Sequence, residues 1–117
     1  MSKVLLVDDE EDICILLSQI LAKEGFETTY VLNLEDARER LSTERYDSAF
    51  IDLNLPDGIG SQLIPLIKEK DSDTKVIIIS AFDSGLTKAS SEGADYLIKK
   101  PFSRSIVLSA LNDLDLK

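Results

Sequence analysis

Histidine and tryptophan are absent from the 117 residues, cysteine and methionine occur once each, and 13 basic residues face 22 acidic ones. Without histidine there is no imidazole general base, no Ser-His-Asp nucleophile and no ordinary zinc site. Any bound metal must accept oxygen ligands. The single cysteine, Cys14, permits no internal disulfide, which agrees with a reducing compartment, and its place in a helical pattern reads as ordinary packing. A net charge of −9 argues against direct binding to nucleic acid or to an anionic membrane. No apolar run is long enough to span a bilayer, and "MSKVLLVDDEED" reaches acid too soon for a signal peptide, so the expected address is the cytoplasm. With 44% apolar residues the chain can fill one core, and no repeat, linker or low-complexity tract divides it. A single domain over residues 1–117 is expected.

What is present is an alternation. "KVLLV" (3–7), "ETTYV" (27–31), "SAFID" (48–52), "KVIII" (75–79) and "YLIK" (96–99) are apolar or β-branched runs of strand length. Between them lie helical stripes. Ile13, Leu16, Leu17, Ile20 and Leu21 make the first, which Gly25 stops. Asn33, with Asp36 three residues on, resembles an N-cap before Leu34, Ala37 and Leu41. Leu63, Ile64 and Ile67 mark a third helix, with Pro65 tolerable in its first turn. A weak fourth follows around Leu86 and Ala89, ending at Gly93, and Ile106, Val107, Ala110, Leu111 and Leu114 mark the last. Five strands alternating with five helices predict an α/β fold, a doubly wound five-stranded parallel sheet with helices on both faces. Its strand order is expected to be 2-1-3-4-5, as in flavodoxin-like three-layer sandwiches, whose ligands bind at the carboxyl ends of the strands.

The residues that follow the strands are polar. Asp8-Asp9 follow the first, Asp52 ends the third, Ser80 follows the fourth and Lys100-Pro101 the fifth. Each has an ordinary explanation alone: an acidic pair favours a helix start, a serine caps, a lysine is solvated. Together, on one sheet edge, they fit one chemistry. Carboxylates brought close repel, and a hard divalent cation such as Mg²⁺ relieves this with oxygen ligands. A carboxylate can also attack phosphorus to give an acyl phosphate, a reaction that needs in-line positioning and neutralised equatorial oxygens. A lysine ammonium and a serine hydroxyl serve that end.

"VLLVDDEEDICILL", "DLNLP" with Gly60 eight residues after Asp52, "VIIISA" and "GADYLIKKPF" together resemble the receiver domain of bacterial two-component response regulators. The resemblance covers the whole chain. It implies that Asp52 accepts a phosphoryl group from a histidine kinase or a histidine phosphotransfer protein, and that the domain is not itself an enzyme. It implies Asp9 as a direct Mg²⁺ ligand, Asp8 as a water-mediated one, and the Asn54 backbone carbonyl as completing the metal site. Ser80 would be the switch hydroxyl, and Lys100 the phosphate contact within a cis Lys-Pro bond. A chain without histidine also suits a recipient that does not phosphorylate itself.

Two departures stand out. Ser80 and Lys100 are 20 positions apart, fewer than the family's usual spacing, and the shortening falls before Gly93. The family's aromatic switch position falls on Leu97, with Tyr96 one residue off. Other readings remain. A haloacid-dehalogenase-type phosphohydrolase would want an aspartate where Asn54 stands. A flavodoxin-like electron carrier would need a phosphate-cradling loop where Asp8-Asp9-Glu10-Glu11 stand. A receiver-like docking module with vestigial phosphorylation is the third.

Overall fold

A computed structural model describes residues 2–116. Five strands, β1 (Lys3–Val7), β2 (Glu27–Val31), β3 (Ser48–Asp52), β4 (Lys75–Ser80) and β5 (Tyr96–Lys99), form one parallel sheet in the order β2-β1-β3-β4-β5. The fourth strand runs one residue past the apolar run, so Ser80 is its last member. Five helices, α1 (Glu11–Lys23), α2 (Leu34–Thr43), α3 (Leu63–Lys70), α4 (Asp83–Ser91) and α5 (Arg104–Asp113), cross over the sheet. No helix among the described residues is long and apolar enough to cross a membrane.

Side-chain alternation along the strands splits the core in two. Leu5, Val7, Ala49, Ile51, Val76 and Ile78 face α2, α3 and α4 through Leu34, Ala37, Leu63, Ile64, Leu86 and Ala89. Val4, Leu6, Phe50, Ile77, Ile79 and Ile98 face α1 and α5 through Leu17, Leu21, Val107, Ala110 and Leu111. Both faces of the central strands are covered, so near-continuous apolar runs are what they require. Burying each Leu, Ile or Phe fully is worth roughly 1.5–3 kcal/mol.

The helices follow the expected stripes with two shifts. In α1 the buried face is Cys14, Leu17, Ile20 and Leu21, while Leu16 turns outward at 43% exposure. In α5 Ile106 is likewise exposed, and Leu114 is the C-cap residue, packed against the α1/α5 core. Gly25 follows α1 with φ at 89°, and Asn33 caps α2 by accepting the Asp36 N–H at 2.8 Å. α4 is real but thinly anchored, by Leu86 and Ala89. Strand alternation separates Tyr96 from Leu97. Tyr96 packs on the α1/α5 side and donates its hydroxyl to Asp113 at 3.0 Å, while Leu97 packs on the α4 side.

β1 has β2 on one side and β3 on the other, so chain direction around the sheet reverses between β1 and β3. The crevice at their carboxyl ends is where Asp8 and Asp52 stand.

Candidate functional site

The site is built from strand ends, and the backbone fixes it. The Asp8 N–H bonds to the Val31 carbonyl at 3.2 Å, and the Cys14 thiol donates to the Asp8 carbonyl at 3.4 Å. Burial pushes the Cys14 thiol up to about 12, so it stays protonated and serves as packing. Asp52 ends β3 opposite Ile79, and Leu53 continues the ladder with its N–H on the Ile79 carbonyl at 3.0 Å. Gly60 lies directly under this turn, where a Cβ would overlap the Asp52 carbonyl oxygen. The Lys100 N–H bonds to the Ser80 carbonyl at 2.8 Å, and the Lys100–Pro101 peptide is cis.

These anchors bring the sequence-predicted residues together. Asp8, Asp9 and Asp52 each offer a carboxylate oxygen within 4.8 Å of the others. Lys100 Nζ sits 3.1 Å from Asp8 Oδ2 and 3.4 Å from Asp52 Oδ2. The Asn54 N–H approaches Asp52 Oδ1 at 3.4 Å. Ser80 is buried at the same edge, its hydroxyl accepting the Phe82 N–H at 3.1 Å. Asp52 is more enclosed than a freely reachable carboxylate, only 4% exposed, and the exposed member of the cluster is Asp9.

Burial is costly for these charges. It raises the Asp52 carboxyl to about 6, with the Asp8 charge adding to the rise and Lys100 opposing it. Burial raises Asp8 as well, against the Glu10 N–H at 2.9 Å and the Lys100 ammonium. Lys100 is pulled down by burial, but Asp52 and Asp8 outweigh this and hold it above its usual range. One atom is left over. Asp8 Oδ2 is buried with no hydrogen bond, its ammonium neighbour lying close but poorly directed. An orphaned carboxylate oxygen beside two other carboxylates is a donor set suited to a hard cation.

The profile of the response regulator receiver domain matches residues 4–112. The chain belongs to that family. Such a receiver is a phosphoacceptor signalling module, not a catalytic enzyme, and receivers accept phosphate from histidine kinases. Over 115 residues it is 36% identical to the response regulator protein PilR of Pseudomonas aeruginosa, matching 93% of this chain and 26% of that protein. The chain thus spans about a quarter of that relative's length. It is 33% identical over 102 residues to sporulation initiation phosphotransferase F of Bacillus subtilis, covering 86% of this chain and 82% of the other. Among solved structures, the beryllofluoride-activated receiver domain of DrrB superposes with a TM-score of 0.89 at 28% identity, over 100% of this chain and 99% of that one. TrrA from Thermotoga maritima, solved with Mg²⁺ and beryllofluoride, gives 0.87 at 30% identity, over 97% and 99%.

Two features of this receiver were not read from the sequence. Glu10 Oε2 lies 3.9 Å from Lys100 Nζ, a third carboxylate at the ammonium. The segment after Asp52 folds into a small hairpin, Asn54–Leu55 against Gly58–Ile59. Its signal was available, since Pro56-Asp57-Gly58 between Leu55 and Ile59 is a turn sequence.

Proposed function

We propose that Asp52 is the phosphoacceptor and that Mg²⁺ is held by Asp8, Asp9, Asp52 and the Asn54 carbonyl, with the Ser80 hydroxyl and Lys100 as phosphate contacts. The observation that carries this is the convergence of three carboxylates and one ammonium on a single crevice. The donor is a phosphohistidine on a histidine kinase or a histidine phosphotransfer protein. An Asp52 oxygen attacks phosphorus in line, the P–N bond breaks, and its electron pair returns to the imidazole of the donor. The cation supplies charge neutralisation for the equatorial oxygens. Lys100 leaves its carboxylate partners for a phosphoryl oxygen, and Ser80 donates to another. A groove lined by Ile13, Leu16, Ala81, Pro101 and Phe102 beside Lys100 gives the donor an apolar surface next to the site. A cytoplasmic setting suits this partner.

A second reading, a docking module whose phosphorylation is vestigial, draws on Tyr96 and Leu97. The aromatic ring is tied to Asp113 on the far face of the sheet from α4, so the family's hydroxyl-to-aromatic exchange is not built here. One experiment separates the two readings. Acetyl phosphate with Mg²⁺ is expected to add one phosphoryl group to the intact protein, and chelation is expected to prevent it. Mg²⁺ alone at about 100 times its Kd is expected to stabilise the fold by roughly 2.7 kcal/mol in melting curves. No added mass and no stabilisation would favour the docking module.

A further inference from the structure

The N–H groups of Leu34, Glu35 and Asp36 at the start of α2 lack an intrahelical partner yet all are bonded, and two of the three are held from a distant loop. Asn33 supplies its side chain to Asp36 and its carbonyl to Ala37. The other two are taken by Asp57, whose Oδ1 accepts the Leu34 N–H at 2.8 Å and whose Oδ2 accepts the Glu35 N–H at 3.0 Å. These bonds hold the Asp57 carboxyl below its usual range. They are charge-assisted and lie at the positive end of a helix.

Asp57 occupies the turn of the hairpin that follows Asp52, between Leu55 and Gly58. At the other end the Leu53 N–H bonds to Ile79, and the Gly60 N–H closes on the Leu53 carbonyl at 2.8 Å. Leu55 packs into the same buried cluster as Leu34. The hairpin is therefore fixed at its base to β4 and at its tip to α2. Between these anchors lies Asn54, whose N–H faces the Asp52 carboxylate.

We propose that Asp57 is a positioning residue for the phosphoacceptor site: by capping α2 it holds the hairpin, and with it the Asn54 backbone, in register with Asp52. This rests on the reading of Asp52 and its metal site given above. Asn33 is the control for a role confined to the helix, since it caps the same helix end through Asp36 and Ala37 and has no hydrogen bond to the hairpin among the described residues. Titration calorimetry of Mg²⁺ into the full chain separates the roles, with melting curves taken alongside. Asp57→Ala is expected to weaken Mg²⁺ binding by about 10-fold. Asp57→Asn, which keeps one acceptor oxygen, is expected to recover part of that loss. Asn33→Ala is expected to stay within about twofold of wild type while still lowering the melting temperature. Unchanged affinity in Asp57→Ala, or equal weakening in Asn33→Ala, would overturn the proposal. If Asp57→Ala does not fold, wild-type affinity in Asp57→Asn would overturn it instead. A wild type that neither binds Mg²⁺ nor takes a phosphoryl group would show that the site reading itself has failed.

Discussion

Asp52→Asn is expected to abolish phosphorylation by acetyl phosphate and, without metal, to make the protein more stable at neutral pH. The first effect follows from chemistry, because an amide oxygen is too weak a nucleophile to displace a leaving group from phosphorus. The second follows from electrostatics. The Asp52 carboxyl is raised from 3.8 to about 6 by burial and by Asp8. A raised carboxyl gives stability that is complete below the unfolded value and is lost as pH climbs through the folded one. Wild type therefore carries a penalty above about pH 6 that the amide lacks. About two pKa units correspond to a difference of up to about 3 kcal/mol. Urea midpoints of both proteins in chelator, from pH 4 to pH 8, measure it. The gap should open as pH rises and close in acid; a variant less stable at every pH would refute the electrostatic reading.

Lys100→Ala is expected to do the reverse without metal and to be rescued by it. Its ammonium is the shared counterion of Asp8 and Asp52, with Glu10 nearby. Removing one partner of a buried ion pair costs about 3–5 kcal/mol. Lys100 lies at the crevice mouth, 15% exposed, so the low end, about 3 kcal/mol, is expected. Without the ammonium the two carboxyls rise further, and the loss of stability extends to higher pH than in wild type. Saturating Mg²⁺ restores positive charge, so the gap to wild type should shrink in melting curves. A gap unaffected by Mg²⁺ would mean that lysine and metal do not share these carboxylates. The phosphoryl group should still attach, more slowly, because nucleophile and metal ligands remain.

Much of this site was legible because its residues sit at the ends of apolar runs. Asp8, Asp52, Ser80 and Lys100 each stand at or just past the carboxyl end of a strand whose limits are set by hydrophobicity, and a parallel sheet gathers such ends on one edge. Period alone was less exact inside the helices. Leu16 and Ile106 fit the stripes of α1 and α5 yet face outward, because an amphipathic stripe is wider than the strip of helix that touches the sheet. The Asp57 cap was not legible at all. It joins residues 22 and 23 positions apart, and nothing in a turn sequence says which helix end its carboxylate will meet. Tyr96 shows the opposite case: a one-residue shift in a strand reverses the face, so its distance from α4 could be read directly from the spacing.

One carboxylate, Asp52, is expected to form the acyl phosphate. Borohydride reduction of the protein treated with acetyl phosphate and Mg²⁺, followed by tandem mass spectrometry, tests it most directly, since reduction marks the carboxyl that carried the phosphoryl group. The mark is expected at Asp52 alone and is expected to vanish under chelation. A mark on Asp8 or Asp9, or a reduction-resistant phosphate on Ser80, would contradict it.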